Sequence, residues 1–217
     1  MSDLTELEDR IEALLDDSGN SVWSTSEIDQ AIRLALADLS VFCPARAVTT
    51  MDAVDEQYEY NLASISGLIA VVEVWYPYLA SDDSYKRPHP VQWRMLDETT
   101  LYLDIDEAAD AAYDIRIFYD KVQTLAGLDG ATSTTLNEYE KSALVLGAAG
   151  YAALAWARSQ QGQVTVGATT AEQIAAWGKA RLGEFQQRTY ALASQESAAE
   201  DARIGWWAVD KWDKEDL

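Results

Sequence analysis

Cysteine is all but missing from this sequence: Cys43 is the single one, which excludes an intrachain disulfide and any cysteine-based zinc site. Histidine also occurs once, as His89, so no centre built on two or more histidines is possible. Cations are scarce. Sixteen Lys and Arg against 37 Asp and Glu leave a formal charge of −21 over 217 residues. A surface that grips nucleic acid needs clustered Lys and Arg, and an anionic membrane attracts the same groups, so both partners are disfavoured. Lying beside DNA without holding it is another matter, because an acidic wall repels phosphate. A halophilic or simply very soluble protein carries the same balance. Long apolar runs are lacking too. The longest, residues 144–157, is too short to span a bilayer and reads as a buried helix. Met1-Ser2-Asp3-Leu4 opens with neither a basic stretch nor an apolar run, so no secretory signal is expected and the protein is read as soluble and intracellular when made.

What is present is apolar content of 48%, enough for one substantial core or one core with a small satellite. Three zones follow one another. In the first, Leu4, Leu7, Ile11, Leu14 and Leu15 recur at helical spacing, with Glu6, Glu8, Asp9 and Glu12 on the other face. Asp16-Asp17-Ser18-Gly19-Asn20 ends that helix, with Gly19 the expected left-handed residue. A second helix starts near Thr25, capped by Ser24 or Thr25, with Ile28, Ile32, Leu36 and Leu39 inward and Pro44 as its stop. Trp23 is expected to pack as an anchor, and Cys43 as a small core residue.

The second zone changes period. Residues 48–54, 57–62, 68–76, 91–96, 100–105 and 113–119 are short β-rich runs between turn residues. Tyr113, Ile115, Ile117 and Tyr119 alternate with Asp114, Arg116 and Phe118, as in a two-sided strand. Residues 81–88 read as an exposed loop tip. The third zone returns to helix over about 137–161 and from about 170 to 199. Gly147, Ala148, Ala149, Gly150, Ala152 and Ala153 make the first of these small-sided, at a propensity cost of about 1 kcal/mol per glycine. Such a stretch asks for a tightly packed neighbour. Ile174, Trp177, Leu182, Phe185 and Leu192 mark the stripe of the last helix.

The expected class is therefore α+β: a helical bundle of two N-terminal and two long C-terminal helices, with an inserted antiparallel β-sheet or small barrel and an extended C-terminal tail. The expected divisions are a helical pair at 1–44, a β-rich insertion at 45–122, a helical hairpin completing the bundle at 123–199, and a docking tail at 200–217. That tail carries Trp206, Trp207 and Trp212 among charges, with no clear helical stripe. Tails without partners are polar, whereas tryptophan is enriched where one protein covers another. Either the tail docks on a partner or neighbouring subunit, or it folds back on its own core.

No catalytic constellation is visible. His89 has no Ser or Cys partner and no second histidine. Asp104, Asp106 and Glu107 cluster after a strand, but the spaced glycine of a calcium loop is missing, and a solvated turn is the expected role. Neither glycine-rich phosphate loop occurs; residues 125–130 are a turn-rich approach to a helix. Acid pairs for glycosidase chemistry remain open, because any acidic chain offers them by chance. No catalytic, cofactor or metal residues are assigned.

The order of elements carries a resemblance. An acidic helix with Leu14-Leu15-Asp16-Asp17, a turn, Trp23-Ser24 and a second amphipathic helix with Ala31 and Leu39 come first. A β-rich section follows with Tyr58-Glu59-Tyr60-Asn61-Leu62 and Val71-Val72-Glu73-Val74-Trp75-Tyr76-Pro77, then a Gly-Ala-rich helix over 144–156 and one more long helix. Across about residues 4–195 this resembles the head-to-tail adaptor, or connector, proteins of tailed bacteriophages. It rests on element order and short apolar phrases, with no diagnostic motif. The resemblance implies a structural virion protein, not an enzyme. It implies a homo-oligomeric ring, a dodecamer, in the neck beneath the portal protein, joined to the next neck or tail ring. DNA would pass through the lumen during ejection without specific binding. The chain would be made in the host cytoplasm, with no membrane partner and no cofactor. In that family the C-terminal segment commonly reaches into the portal, which makes Arg203, Ile204, Trp206, Trp207, Val209 and Trp212 the expected partner-binding residues. Two alternatives stand beside this: another phage neck or tail ring subunit (terminator or stopper-like) or a cellular protein-binding scaffold, and a hydrolase using Asp104, Asp106 and Glu107.

Overall fold

The computed structural model describes residues 3–17, 19, 21–82, 89–160 and 168–212, the side chains of 168–169 and 196–212 excepted. Along the chain come α1 (Asp3–Leu15), α2 (Thr25–Phe42), β1 (Ala45–Asp52), β2 (Glu59–Asn61), β3 (Leu68–Tyr78), β4 (Gln92–Met95), β5 (Thr100–Asp104), β6 (Asp114–Lys121), α3 (Glu138–Ser159) and α4 (Ala168–Trp212). The fold is α+β, in two compact units: Met1–Cys43 with Gln123–Leu217, and Pro44–Val122.

In the helical unit Leu7 and Ile11 of α1, Ile28, Ile32 and Leu39 of α2, Leu144 and Ala148 of α3, and Phe185 of α4 share one buried cluster. Cys43 belongs to it, fully buried. The turn after α1 is built by one carboxylate. Asp17 accepts from the N–H groups of Ser21, Val22 and Trp23, each at 2.9 Å, and from the Ser21 hydroxyl at 2.6 Å. These bonds, the Ser21 hydroxyl foremost, hold its carboxyl far below the usual carboxylate range. They also seat Trp23, whose ring is buried and whose Nε1 donates to the Ala152 carbonyl at 3.1 Å. Asp16, the first residue of this turn, is left-handed, at φ 57. Asp17 takes its donors so soon after the helix that the chain must reverse at position 16, and aspartate tolerates that conformation better than most residues.

Helix starts follow local chemistry. At α2 the Glu27 carboxylate accepts from the Ser24 N–H at 2.8 Å and its hydroxyl at 2.7 Å. At α3 Asn137 Oδ1 accepts from the N–H groups of Tyr139 and Glu140, while Glu140 accepts from the Asn137 N–H at 2.7 Å, a reciprocal capping box. α4 runs past position 199, where the sequence reading ends the helix and begins an extended tail, and continues to Trp212. No proline interrupts residues 168–212, and Gly205 alone costs only about 1 kcal/mol of helix propensity.

In the β unit the described strands form two three-stranded antiparallel sheets, ordered β1-β6-β3 and β2-β5-β4, and among the described residues there is no closed barrel. β6 is the central, two-sided strand: Ile115, Ile117 and Tyr119 are buried, and Arg116 and Phe118 are half-buried on the opposite face. Val71 and Val74 of β3, Leu101 and Leu103 of β5 and Tyr60 of β2 complete that core. Of the expected loop tip, Ser81 and Asp82 are exposed, and 83–88 lie outside the described residues.

The small residues of α3 are used against α4. A Cβ on Gly150 would stand 2.8 Å from Leu182 Cγ and 3.0 Å from the Gly178 carbonyl oxygen, and one on Gly178 would stand 3.0 Å from the Gly150 carbonyl oxygen. The two backbones touch there. Gly183 on the same helix meets nothing within 4 Å. Gly183→Ala should therefore raise stability by up to about 1 kcal/mol, whereas Gly150→Ala should lower it by about 1 kcal/mol despite the same propensity gain. Denaturant unfolding of both variants checks the opposite signs; a gain in both would mean the helices do not touch at Gly150.

Candidate functional site

The described side chains offer surfaces, not a reaction centre. His89 lies just before the lone β-bridge residue Pro90, and its carbonyl accepts from the Tyr76 N–H at 3.0 Å. Asp104, Asp106 and Glu107 are exposed around the end of β5. Among the described residues no group of three or more His, Cys, Asp or Glu is placed to hold a metal ion.

Three features of the helical unit stand out. First, α2 turns an apolar stripe outward: Leu34 is 44% exposed and Val41 72%, one helical face apart by seven positions. Phe42 continues it and meets Tyr190 of α4 edge-on, ring centroids 4.8 Å apart, with Tyr190 itself exposed. Within the stripe, Asp38 accepts a hydrogen bond from Tyr151. Burial first and this carboxylate second push the Tyr151 hydroxyl up to about 12. Second, a groove of about 490 Å³ runs between α1, α3 and α4 over Leu14, Val145 and Leu146, with Arg10 and Arg188 at its walls. Third, Glu8 of α1 shares a hydrogen bond with Asp29 of α2, two carboxyl groups side by side. One Asp29 oxygen is buried with no hydrogen-bond partner.

The β unit carries its own cluster on the face of β1-β6-β3 away from the core. Arg116 donates to Tyr78 Oη at 2.6 Å and lies over the rings of Tyr78, Phe118 and Trp75 at 4.8, 5.6 and 5.7 Å. Val48 of β1 is 46% exposed opposite Phe118.

Of the expected partner-binding residues, Arg203, Ile204, Trp206, Trp207, Val209 and Trp212 all belong to the helical backbone of α4, and their side chains lie outside the described residues. Sequence reasoning missed the outward stripe of α2 and the Arg116 cluster. The alternation in β6 held a clue to the second, since Arg116 and Phe118 share the parity opposite to the isoleucines. Nothing marked Leu34 and Val41, because an outward apolar residue looks like any other in a helix that also buries a stripe.

The described residues form an α+β fold of four helices with a double-sheet insertion. Neither a protein-family model nor a curated protein matches it. Two solved chains are similar over 68% of this chain and 76% of their own. One comes from the neck of an empty gene transfer agent particle (15% identity, TM-score 0.27), and the other from the virion of a native gene transfer agent particle (16% identity, TM-score 0.29). TM-scores this low describe a partial likeness of backbone path. No described helix is long and apolar enough to cross a membrane.

The Glu8–Asp29 pair generates a pH dependence. Burial, then the bond to Asp29 and the charges of Asp29, Glu12 and Asp9, raise the Glu8 carboxyl from 4.5 to about 7. The folded state thus holds a proton that the unfolded state has released between those values. The stability this proton supplies is complete below pH 4.5 and is lost as pH rises through about 7. Glu8→Gln should remove that fall, so its melting temperature should exceed the parent's above pH 7 and converge with it near pH 4.5. Parallel melting curves across this range would show that the pair is not coupled to folding.

Proposed function

We propose that the chain is a head-to-tail adaptor subunit of a phage-like particle: a non-enzymatic, homo-oligomeric ring, dodecameric by the family resemblance, seated beneath the portal protein and above the next neck ring. The observation that carries the reading is the composition of the chain's end. Trp206, Trp207 and Trp212 lie among charged residues in a chain with charge −21, and tryptophan in such a setting is enriched where another protein covers it. The outward stripe of Leu34, Val41, Phe42 and Tyr190 supports contact between neighbouring copies. The acidic balance suits a conduit that repels phosphate and lets DNA slide. In this reading the C-terminal segment, Arg203, Ile204, Val209 and the three tryptophans included, docks on the portal, and the protein resides in the neck of the virion.

Truncation after Ala199 tests it. The shortened chain should keep its helical circular dichroism and cooperative unfolding, because the buried cluster around Phe185 stays intact. It should lose capture by the portal ring at least about a hundredfold, as expected when an aromatic hot spot is removed. Capture at the parent's affinity would remove the docking role of the tail.

A further inference from the structure

The two edges of the β1-β6-β3 sheet are treated differently. The β3 edge is interrupted by register shifts at Leu68/Ala70, Val71/Glu73 and Trp75/Tyr78 and contains Pro77. It is also covered where the Tyr76 N–H donates to the His89 carbonyl at 3.0 Å and the Val91 N–H to the Val74 carbonyl at 2.9 Å. Bulges, proline and cover are the devices that blunt an edge against pairing. Among the described residues of its own unit, β1 has none of them. Its eight residues hold unbroken register against β6, contain neither proline nor lysine, and have no strand on the other side among the described residues.

The charges along β1 are unbalanced in a telling way. Arg46, Val48, Thr50 and Asp52 are its exposed side chains. Arg46 stands opposite Asp120, and its Nε donates there at 3.2 Å. At the far end Asp52 stands opposite Asp114, like charge facing like charge across the ladder, which is destabilising. The cation next along β6, Arg116, is turned onto Tyr78 and Trp75, and no ion pair to Asp52 exists among the described residues.

A second copy supplies what is missing. A strand laid antiparallel against β1 by a two-fold axis must keep the inward side chains, Ala47 and Met51, on a common face, so opposed residues share parity. Centred on Thr49, that register sets Arg46 of each copy opposite Asp52 of the other, Val48 opposite Thr50, Ala47 opposite Met51, and Thr49 opposite itself. We propose that the unassembled chain pairs with a second copy of itself through the β1 edge, in this register. The contact is isologous and closes at two copies, so it belongs to the chain before it enters a ring, whose contacts are heterologous. It goes beyond the adaptor reading and does not depend on it.

Sedimentation velocity on the full-length chain over a concentration series should show a reversible monomer–dimer equilibrium, weakened by added salt. Arg46→Asp and Asp52→Arg each place like charges opposite one another twice per dimer and should raise the dissociation constant about tenfold or more. The double swap R46D/D52R should restore dimerisation, with circular dichroism confirming that every variant is folded. Thr49→Cys should form a disulfide-linked dimer on oxidation, since only the two-fold register brings position 49 against itself; the parent, with Cys43 buried, serves as control. A chain monomeric at every concentration overturns the proposal. So does a folded double swap that fails to restore pairing, or a dimer that Thr49→Cys does not cross-link. Portal capture bears on the adaptor reading alone, so the two fail separately.

Discussion

The helical unit turns on the place where α3 and α4 touch through their backbones, at Gly150 and Gly178. A side chain at either position would have to displace the neighbouring helix, because each glycine stands against the other's carbonyl oxygen, and Gly150 against Leu182 as well. Close approach brings Phe185 into the cluster formed by α1, α2 and α3 and lets Gly147 sit against its ring. It also anchors the first half of a 45-residue helix whose later positions include Trp206, Trp207 and Trp212. The small residues of α3 exchange intrinsic helix propensity for contact with a neighbour, a trade that succeeds only because the neighbour is there.

The second constraint is charge. A chain this acidic must either spread its carboxylates in solvent or place them where donors await. Asp17 does the second with four hydrogen bonds in a single turn, and the result is structural: it fixes the approach of Trp23 to α3. Arg33 and Asp129 do the same with a bidentate pair at 2.8–3.0 Å. Elsewhere the excess is uncompensated, as at Glu8 beside Asp29 and at Asp52 opposite Asp114. Those are the positions where pH or a second polypeptide has the most leverage on the fold.

Periodicity made the elements legible. The described strands and helices lie where the change from helical to two-residue spacing puts them, because most bury one face that apolar residues mark, while α3 is buried on nearly every side along its Gly-Ala-rich stretch. Turn chemistry was legible in kind and not in place. The acidic turn after Leu15 was evident, but not that Asp16 would be left-handed in it, since the hydrogen bonds of Asp17 depend on contacts that spacing does not encode. The end of α4 was misplaced for a related reason: charged residues beyond Ala199 carry no apolar stripe, but they carry no helix breaker either. The surfaces were the least legible part. Leu34 and Val41 are ordinary helix residues until the buried stripe beside them is located in space, and the parity that exposes Arg116 and Phe118 means little before β6 is known to be a central strand.

An adaptor reading requires that the chain's end be covered by another protein in the assembled particle. Amide hydrogen exchange over residues 200–217, measured on the chain alone and on the chain bound to the portal ring, addresses this directly. The account predicts strong additional protection of that segment in the complex, centred on residues 203–212. Identical exchange in the two states would contradict it.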